Sequence, residues 1–254
     1  MADRSSLGPP VRNALRGVDG SPTVGEMSDI VLVHGTTQSA AGFAWLVTAL
    51  ERAGHRSICL DVPSAAATTA ARYADLLASQ VPADLDCPIV VAHSAAGLIL
   101  PALARRLNAR HQVWLAATVA DYRGQRSLLE ELRHDPSAVF QAEWLGIDPT
   151  TDPVLATYFL FHDADLAALR AALPTVASCD LTALYGETPT QDPARLPSTY
   201  LLPADDRALT RAAMGHMARE RLGVEPVVVP GGHNCYVAHP GEIAQVIDKA
   251  ARRS

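Results

Sequence analysis

Apolar residues along this chain fall into short continuous runs separated by stretches with helical spacing. The first run, Ile30-Val31-Leu32-Val33 within Asp29–Val33, has no polar alternation, which marks a strand buried on both faces. A glycine-containing loop follows, then a helical pattern from Ala40 to Ala53 with Gly54 as its stop. Ser57 to Leu60 predicts a second strand, closed by Asp61 and Pro63. Thr69 to Val81 predicts a helix with Tyr73, Leu76, Leu77 and Gln80 on one stripe. Pro88 to Ala92 is a third strand, Ala95 to Leu107 a helix directly after it, and Gln112 to Val119 a fourth strand. Such alternation predicts a mainly parallel sheet with helices on both faces, because each crossover has to cover the sheet.

From about Gly124 to Pro197 the pattern breaks. This stretch is rich in Leu and Ala, contains Trp144, Tyr158, Phe159 and Phe161, and reads as short helices without a strand. It is too long for a connecting loop and predicts a helical cap over the sheet, at about 124–197. Strands resume at Thr199 to Leu202 and at Pro226 to Val229, with a helix from Ala208 to Leu222 between them and a last helix from Gly241 to Arg252. Residues 27–254 therefore read as one domain, starting at Met27. The first 26 residues are polar and punctuated by Gly and Pro, without the apolar core of a secretory signal, and read as a disordered extension.

A chain of 254 residues, 48% of them hydrophobic, suits a single α/β domain with a sizeable core. No apolar run approaches the roughly 18–20 residues that span a bilayer. The net charge of −6, with no basic stripe, argues against a nucleic-acid partner. Lys249 is the only lysine and sits in a polar tail, so Schiff-base and phosphate-loop lysine chemistries are excluded. Cys59, Cys87, Cys179 and Cys235 are scattered, with neither a CxxC pair nor metal-ligand spacing, and read as reduced thiols of a cytoplasmic protein. Cys235 stands near His233, but two residues apart on one turn is poor geometry for a Cys–His nucleophile.

The candidate chemistry sits at the ends of the predicted strands. Ala92-His93-Ser94-Ala95-Ala96 joins the third strand to its helix, where a nucleophile elbow reads Gly-x-Ser-x-Gly. Small residues are needed two before and two after the serine, because the bend is sharp and its neighbours close; Ala92 and Ala96 meet that need less comfortably than glycine. On its own the match is weak, since most serines before a helix are N-caps. His34-Gly35-Thr36 follows the first strand, and in such an architecture a loop here supplies one oxyanion-hole amide while the residue after the nucleophile supplies the other, which nominates Thr36 and Ala95. His34 itself reads as structural, and His93 as packing beside the elbow. Gly231-Gly232-His233 follows the last strand, where an imidazole can reach back to Ser94 as general base. Ala204-Asp205-Asp206-Arg207 follows the strand before it and supplies a carboxylate in the chain order Ser, Asp, His; either aspartate could instead cap the next helix.

Together these segments resemble the plant methylesterase and hydroxynitrile lyase branch of the α/β-hydrolases, with its bacterial esterase relatives. The resemblance runs from Asp29 to the C-terminus. It rests on Val31 to Gly35 with Trp45 downstream, on Ala92 to Gly97, on Tyr158 to Asp163, on Asp205-Asp206-Arg207, and on Gly231 to Asn234 ahead of His239-Pro240. It implies an α/β-hydrolase fold and places the acid just before a basic residue, at Asp206. The lyases of the branch are similar to one another in carrying a threonine where this chain has Gly35 and a lysine where it has Asn234, so the resemblance sides with the esterases. The expected activity is hydrolysis of a small carboxylic ester through Ser94, His233 and Asp206, with no cofactor and no metal. Trp144 and Phe161 are candidates to shape an apolar substrate pocket, with plain packing of cap on sheet as the alternative for each. The expected partner is a small-molecule ester, not nucleic acid or membrane, and a homodimer is left open. A lyase, lactonase or cyclase using the same residues, and a non-catalytic small-molecule receptor, are the competing readings.

Overall fold

The computed structural model describes residues 27–253. The predicted disordered extension, residues 1–26, lies outside the described residues. Six strands form one sheet in the order β2-β1-β3-β4-β5-β6, and every neighbouring pair is parallel. They are β1 (Asp29–Val33), β2 (Arg56–Leu60), β3 (Ile89–His93), β4 (His111–Leu115), β5 (Ser198–Pro203) and β6 (Val227–Val229). Residues of β3 and β4 are buried throughout, as strands in the middle of a two-sided sheet should be, including the polar His93, His111 and Gln112.

Helices α1 (Ala44–Arg52), α2 (Ala70–Ala78) and α3 (Leu100–Arg106) connect the first four strands. Between β4 and β5 the chain forms α4 (Leu128–His134), α5 (Pro153–Leu160), α6 (Leu166–Ala172) and α7 (Thr182–Tyr185), with short 3-10 turns between them. Helix α8 (Arg211–His216) separates β5 from β6, and α9 (Cys235–Ala238) and α10 (Pro240–Ala251) complete the chain. Two apolar cores fill the two faces of the sheet. One packs Tyr73, Leu77, Ile99 and Leu103 against Val31, Val90 and Trp114, and the other packs Leu46, Leu50, Ile243 and Ile247 against Ile30, Leu32 and Val91.

Several element boundaries differ from the sequence pattern by a residue or more, and three of the differences bear on the site. The predicted helix from Ala95 is a 3-10 turn over Ser94–Leu98, followed by α3. Pro101 in the first turn of α3 has no N–H to return to the carbonyl of Gly97, so a single continuous α-helix cannot form across it. The fourth strand stops at Leu115 instead of Val119, because Ala116 turns with φ at 45°. The chain then passes under the elbow, where the Thr118 amide donates to the carbonyl of Ser94 (3.1 Å). Finally, the helix expected from Ala208 starts at Arg211, capped by Thr210. The amides of Ala208 and Leu209 are taken instead by the side chain of Asp206, at 2.7 and 2.9 Å.

Candidate active site

The sheet order reverses direction at β1: the chain moves from β1 to β2 on one side, then crosses back to β3 on the other. Crossovers leave such a pair on opposite faces and open a crevice at the carboxyl ends of the two strands. The loop after β1 carries Gly35 and Thr36, and the turn after β3 carries Ser94. Both candidate segments therefore meet at the switch point.

Ser94 sits at the end of β3 with φ at 57°, in the left-handed region that a non-glycine residue rarely occupies. The surrounding contacts hold it there. Ala92 and Ala96 are fully buried. A Cβ on Gly97 would come within 2.1 Å of the Thr118 carbonyl oxygen, so the close approach that demands a glycine falls three residues after the serine. A Cβ on Gly35 would stand 2.7 Å from the Cβ of Ser94 and 3.2 Å from its Oγ. Glycine at position 35 is thus what lets the β1 loop close against the elbow.

His233 and Asp206 come from the loops after β6 and β5. Those loops continue the strand pairing: the Ala204 amide donates to Val229 O and the Asp205 amide to Gly231 O. Ser94 Oγ and His233 Nε2 are 2.9 Å apart, and His233 Nδ1 lies 2.9 Å from Asp206 Oδ2. Asp205 is exposed and uses only its backbone here, which leaves Asp206 as the aspartate that reaches the imidazole. Asp206 is held in turn from several sides. Its Oδ1 accepts the two amides described above, and its carbonyl accepts from the Gln141 side chain (3.1 Å). The imidazole of His233 and the carboxylate of Asp206 are both buried, so their pairing is shielded from water.

Two further histidines brace the loops. The Val62 amide donates to His34 Nε2 (2.9 Å), so the ring proton is on Nδ1, which donates to the carbonyl of Gly35 (2.8 Å). Burial pushes the His34 pKa down, which keeps this neutral tautomer in place. Because the Gly35 carbonyl belongs to the same peptide as the Thr36 N–H, His34 fixes the orientation of that amide. His93, fully buried, donates from Nε2 to the carbonyl of His233 (3.0 Å), and burial lowers its pKa far below the usual imidazole range.

Thr36, Ala95 and Trp144 line a cavity together with Ser94 and His233. Ala95 lies in the first turn after the elbow, where an amide has no intrahelical acceptor. Phe161 lies elsewhere: it is fully buried at the end of α5, in the core on one face of the sheet, and does not line the cavity. The Cys235 thiol is fully buried and pushed up by desolvation, which removes it as a rival nucleophile. Pattern reading missed the other lining residues, Thr118, Phe140, Tyr185, Ala208 and Leu209, because spacing along the chain gives no hint of which side chains meet across the sheet edge.

It also missed a clasp on the loop that carries His233. Asp163 Oδ2 accepts the amide of Gly232 (3.0 Å) and lies 3.5 Å from His239 Nε2. A Cβ at Gly231 would collide with Asp163 at 2.3 Å, and one at Gly232 with the His162 ring at 2.4 Å. The signal was present as His162-Asp163 and Gly231-Gly232, two short motifs far apart in sequence.

A model of the alpha/beta hydrolase family matches residues 30–246. The chain belongs to that family, and hydrolase is the class of chemistry that the match supports. Among solved structures of similar fold is a pyrethroid hydrolase from Sphingobium faniae JZ-2, with a TM-score of 0.72 at 18% identity, covering 90% of this chain and 100% of that one. Polyneuridine aldehyde esterase aligns with a TM-score of 0.70 at 17% identity, over 89% of this chain and 100% of its own. A methylesterase from Arabidopsis gives 0.66 at 16%, again over 89% and 100%. These likenesses are to the branch that the sequence resembles, and they concern the fold. No curated protein matches the chain. No helix among the described residues is long and apolar enough to cross a membrane.

Proposed function

We propose that this protein is a serine esterase that cleaves a small carboxylic ester through an acyl-enzyme. The observation that carries the reading is the continuous hydrogen-bonded chain from Ser94 Oγ through His233 to Asp206, at 2.9 Å for each link. Ser94 attacks the ester carbonyl while His233 takes its proton, and Asp206 holds the imidazole tautomer and stabilises the imidazolium. The amides of Thr36 and Ala95 receive the developing oxyanion, a contribution worth roughly 10²–10³ in rate for one donor. The alcohol leaves with the proton from His233; water then gives a proton to His233 and attacks the acyl carbon, and the bond to Ser94 Oγ breaks as Oγ takes that proton back and the acid is released.

Cyanohydrin cleavage by the same residues is disfavoured. It calls for a cation beside the leaving cyanide, and neither lysine nor arginine is among the residues lining the cavity. A threonine side chain at position 35 would run into Ser94 on this backbone. Assay of p-nitrophenyl and methyl esters with wild type and Ser94→Ala tests the mechanism. Wild type should exceed the variant by at least about 10³-fold, and equal rates would reject it. A fluorophosphonate should modify Ser94, whereas a non-catalytic receptor would stay unmodified.

A further inference from the structure

The cavity at Ser94 is too small for most ligands. It offers about 40 Å³, against roughly 300–1,000 Å³ for the pockets that hold drug-sized molecules. At roughly 10–15 Å³ per water, that is room for about three waters, or for an ester carbonyl with one methyl group on it. Its lining consists of Thr36, Ser94, Ala95, Thr118 and His233, with Phe140, Trp144, Tyr185, Ala208 and Leu209 completing the wall. None of these side chains is Asp, Glu, Lys or Arg, so nothing there compensates a charged acyl group.

The roof cannot lift freely. Gln141, between Phe140 and the 3-10 turn that carries Trp144, donates its amide to Ala208 O (2.9 Å) and its side chain to the carbonyls of Asp206 (3.1 Å) and Leu209 (3.3 Å). The Thr210 amide donates to Val139 O (2.9 Å). The segment that closes the cavity is therefore stitched to the loop that holds the acid, and opening it would disturb Asp206. Trp144 is further fixed edge-on against Phe159, with centroids 5.3 Å apart.

Resting on the serine-esterase reading, we propose that the substrate is an ester of a very short, uncharged carboxylic acid, acetyl in size, and that Phe140, Trp144 and Tyr185 set this limit. In this proposal the acyl group occupies the cavity and the alcohol lies toward the mouth, where it departs and water enters for deacylation. The size of the alcohol is therefore less restricted. Each methylene added to the acyl chain has to displace an aromatic wall, and one methylene too many in such a pocket commonly costs roughly 10–200-fold in kcat/KM.

The test is a series of p-nitrophenyl acetate, butyrate and octanoate, with methyl acetate and methyl octanoate as a second pair, read as kcat/KM above the Ser94→Ala rate. Wild type should favour acetate over butyrate by at least 10-fold and show negligible turnover of either octanoate. Tyr185→Ala and Trp144→Ala should each move the optimum to butyrate or longer. A flat or rising profile in wild type overturns the proposal while leaving the esterase intact, and so does methyl octanoate cleaved as fast as methyl acetate. Rates equal to Ser94→Ala on every ester would instead sink the esterase reading itself.

Discussion

His93 Nε2 donates to the backbone carbonyl of His233, 3.0 Å away, so the strand that ends in Ser94 directly grips the loop that carries the imidazole. The two rings lie 4.7 Å apart, and Tyr236 meets His93 edge-on at 5.0 Å. Replacing His93 by Phe would keep most of the ring packing but leave the buried His233 carbonyl without its donor. We expect His93→Phe to lower unfolding stability by about 1–3 kcal/mol and to reduce kcat more than it raises KM. Urea denaturation together with steady-state kinetics on an activated ester measures both. An unchanged kcat would show that the bond does not position the base.

The contact between Gly35 and the elbow makes a sharper demand. With only 2.7 Å between an added Cβ and that of Ser94, and the His93 backbone also close, neither side can yield cheaply. Gly35→Ala is expected to displace the β1 loop, and with it the Thr36 amide, lowering kcat/KM by about 10²-fold, the size of losing one oxyanion donor. Kinetics should show the fall while circular dichroism still reports a folded chain. Wild-type kinetics in the variant would mean that the loop has room to move.

Asp163 reaches the loop that carries His233 from the segment between β4 and β5. Asp163→Asn preserves an oxygen acceptor for the Gly232 amide, whereas Asp163→Ala removes it and leaves a buried donor unpaired. The expected order of kcat is wild type close to Asn and both above Ala, with Ala lower by roughly tenfold, about 1.4 kcal/mol of transition-state stabilisation. Should Asn fall as far as Ala, the negative charge facing His239 would matter instead of the hydrogen bond.

Stability should weaken in mild acid, before the carboxylates titrate. Burial lowers the pKa values of His34, His93, His111 and His162, that of His111 to about 4. A histidine lowered in this way binds fewer protons folded than unfolded. Its contribution is therefore complete above the unfolded value near 6.5 and is lost as pH falls from there toward the folded value. For His111 the window runs from about 6.5 to about 4 and the total is on the order of 3 kcal/mol. Asp29, Asp121 and Asp248 have lowered pKa values, so their contributions fade only below the usual carboxylate range. Urea midpoints at pH 7 and pH 4.5 should differ less in His111→Gln than in wild type. Equal differences in the two proteins would assign the acid loss to other groups.

Much of this was legible in advance because buried parallel strands leave continuous apolar runs, and because residues at their carboxyl ends must face one edge of the sheet. Ser94, His233 and the pair Asp205-Asp206 could be nominated on that ground alone. The choice between the aspartates came from likeness to a family, and the coordinates supply its physical counterpart: only Asp206 has its carboxylate turned in toward the imidazole. Phe161 illustrates the opposite case. An aromatic residue in a helical stretch carries no mark of the direction it faces, and this one is fully buried in the core.

The order of strands and helices, the fold class and the loops that hold the candidate chemistry were determined by the sequence, because local periodicity and strand-end position are properties of the chain itself. The packing of Gly35 on Ser94, the grip of Asp163 on Gly232 and the gathering of Phe140, Trp144 and Tyr185 around a cavity of about 40 Å³ were decided only by the tertiary structure. Those relationships join segments up to more than a hundred residues apart, and distance in space leaves no period along the chain.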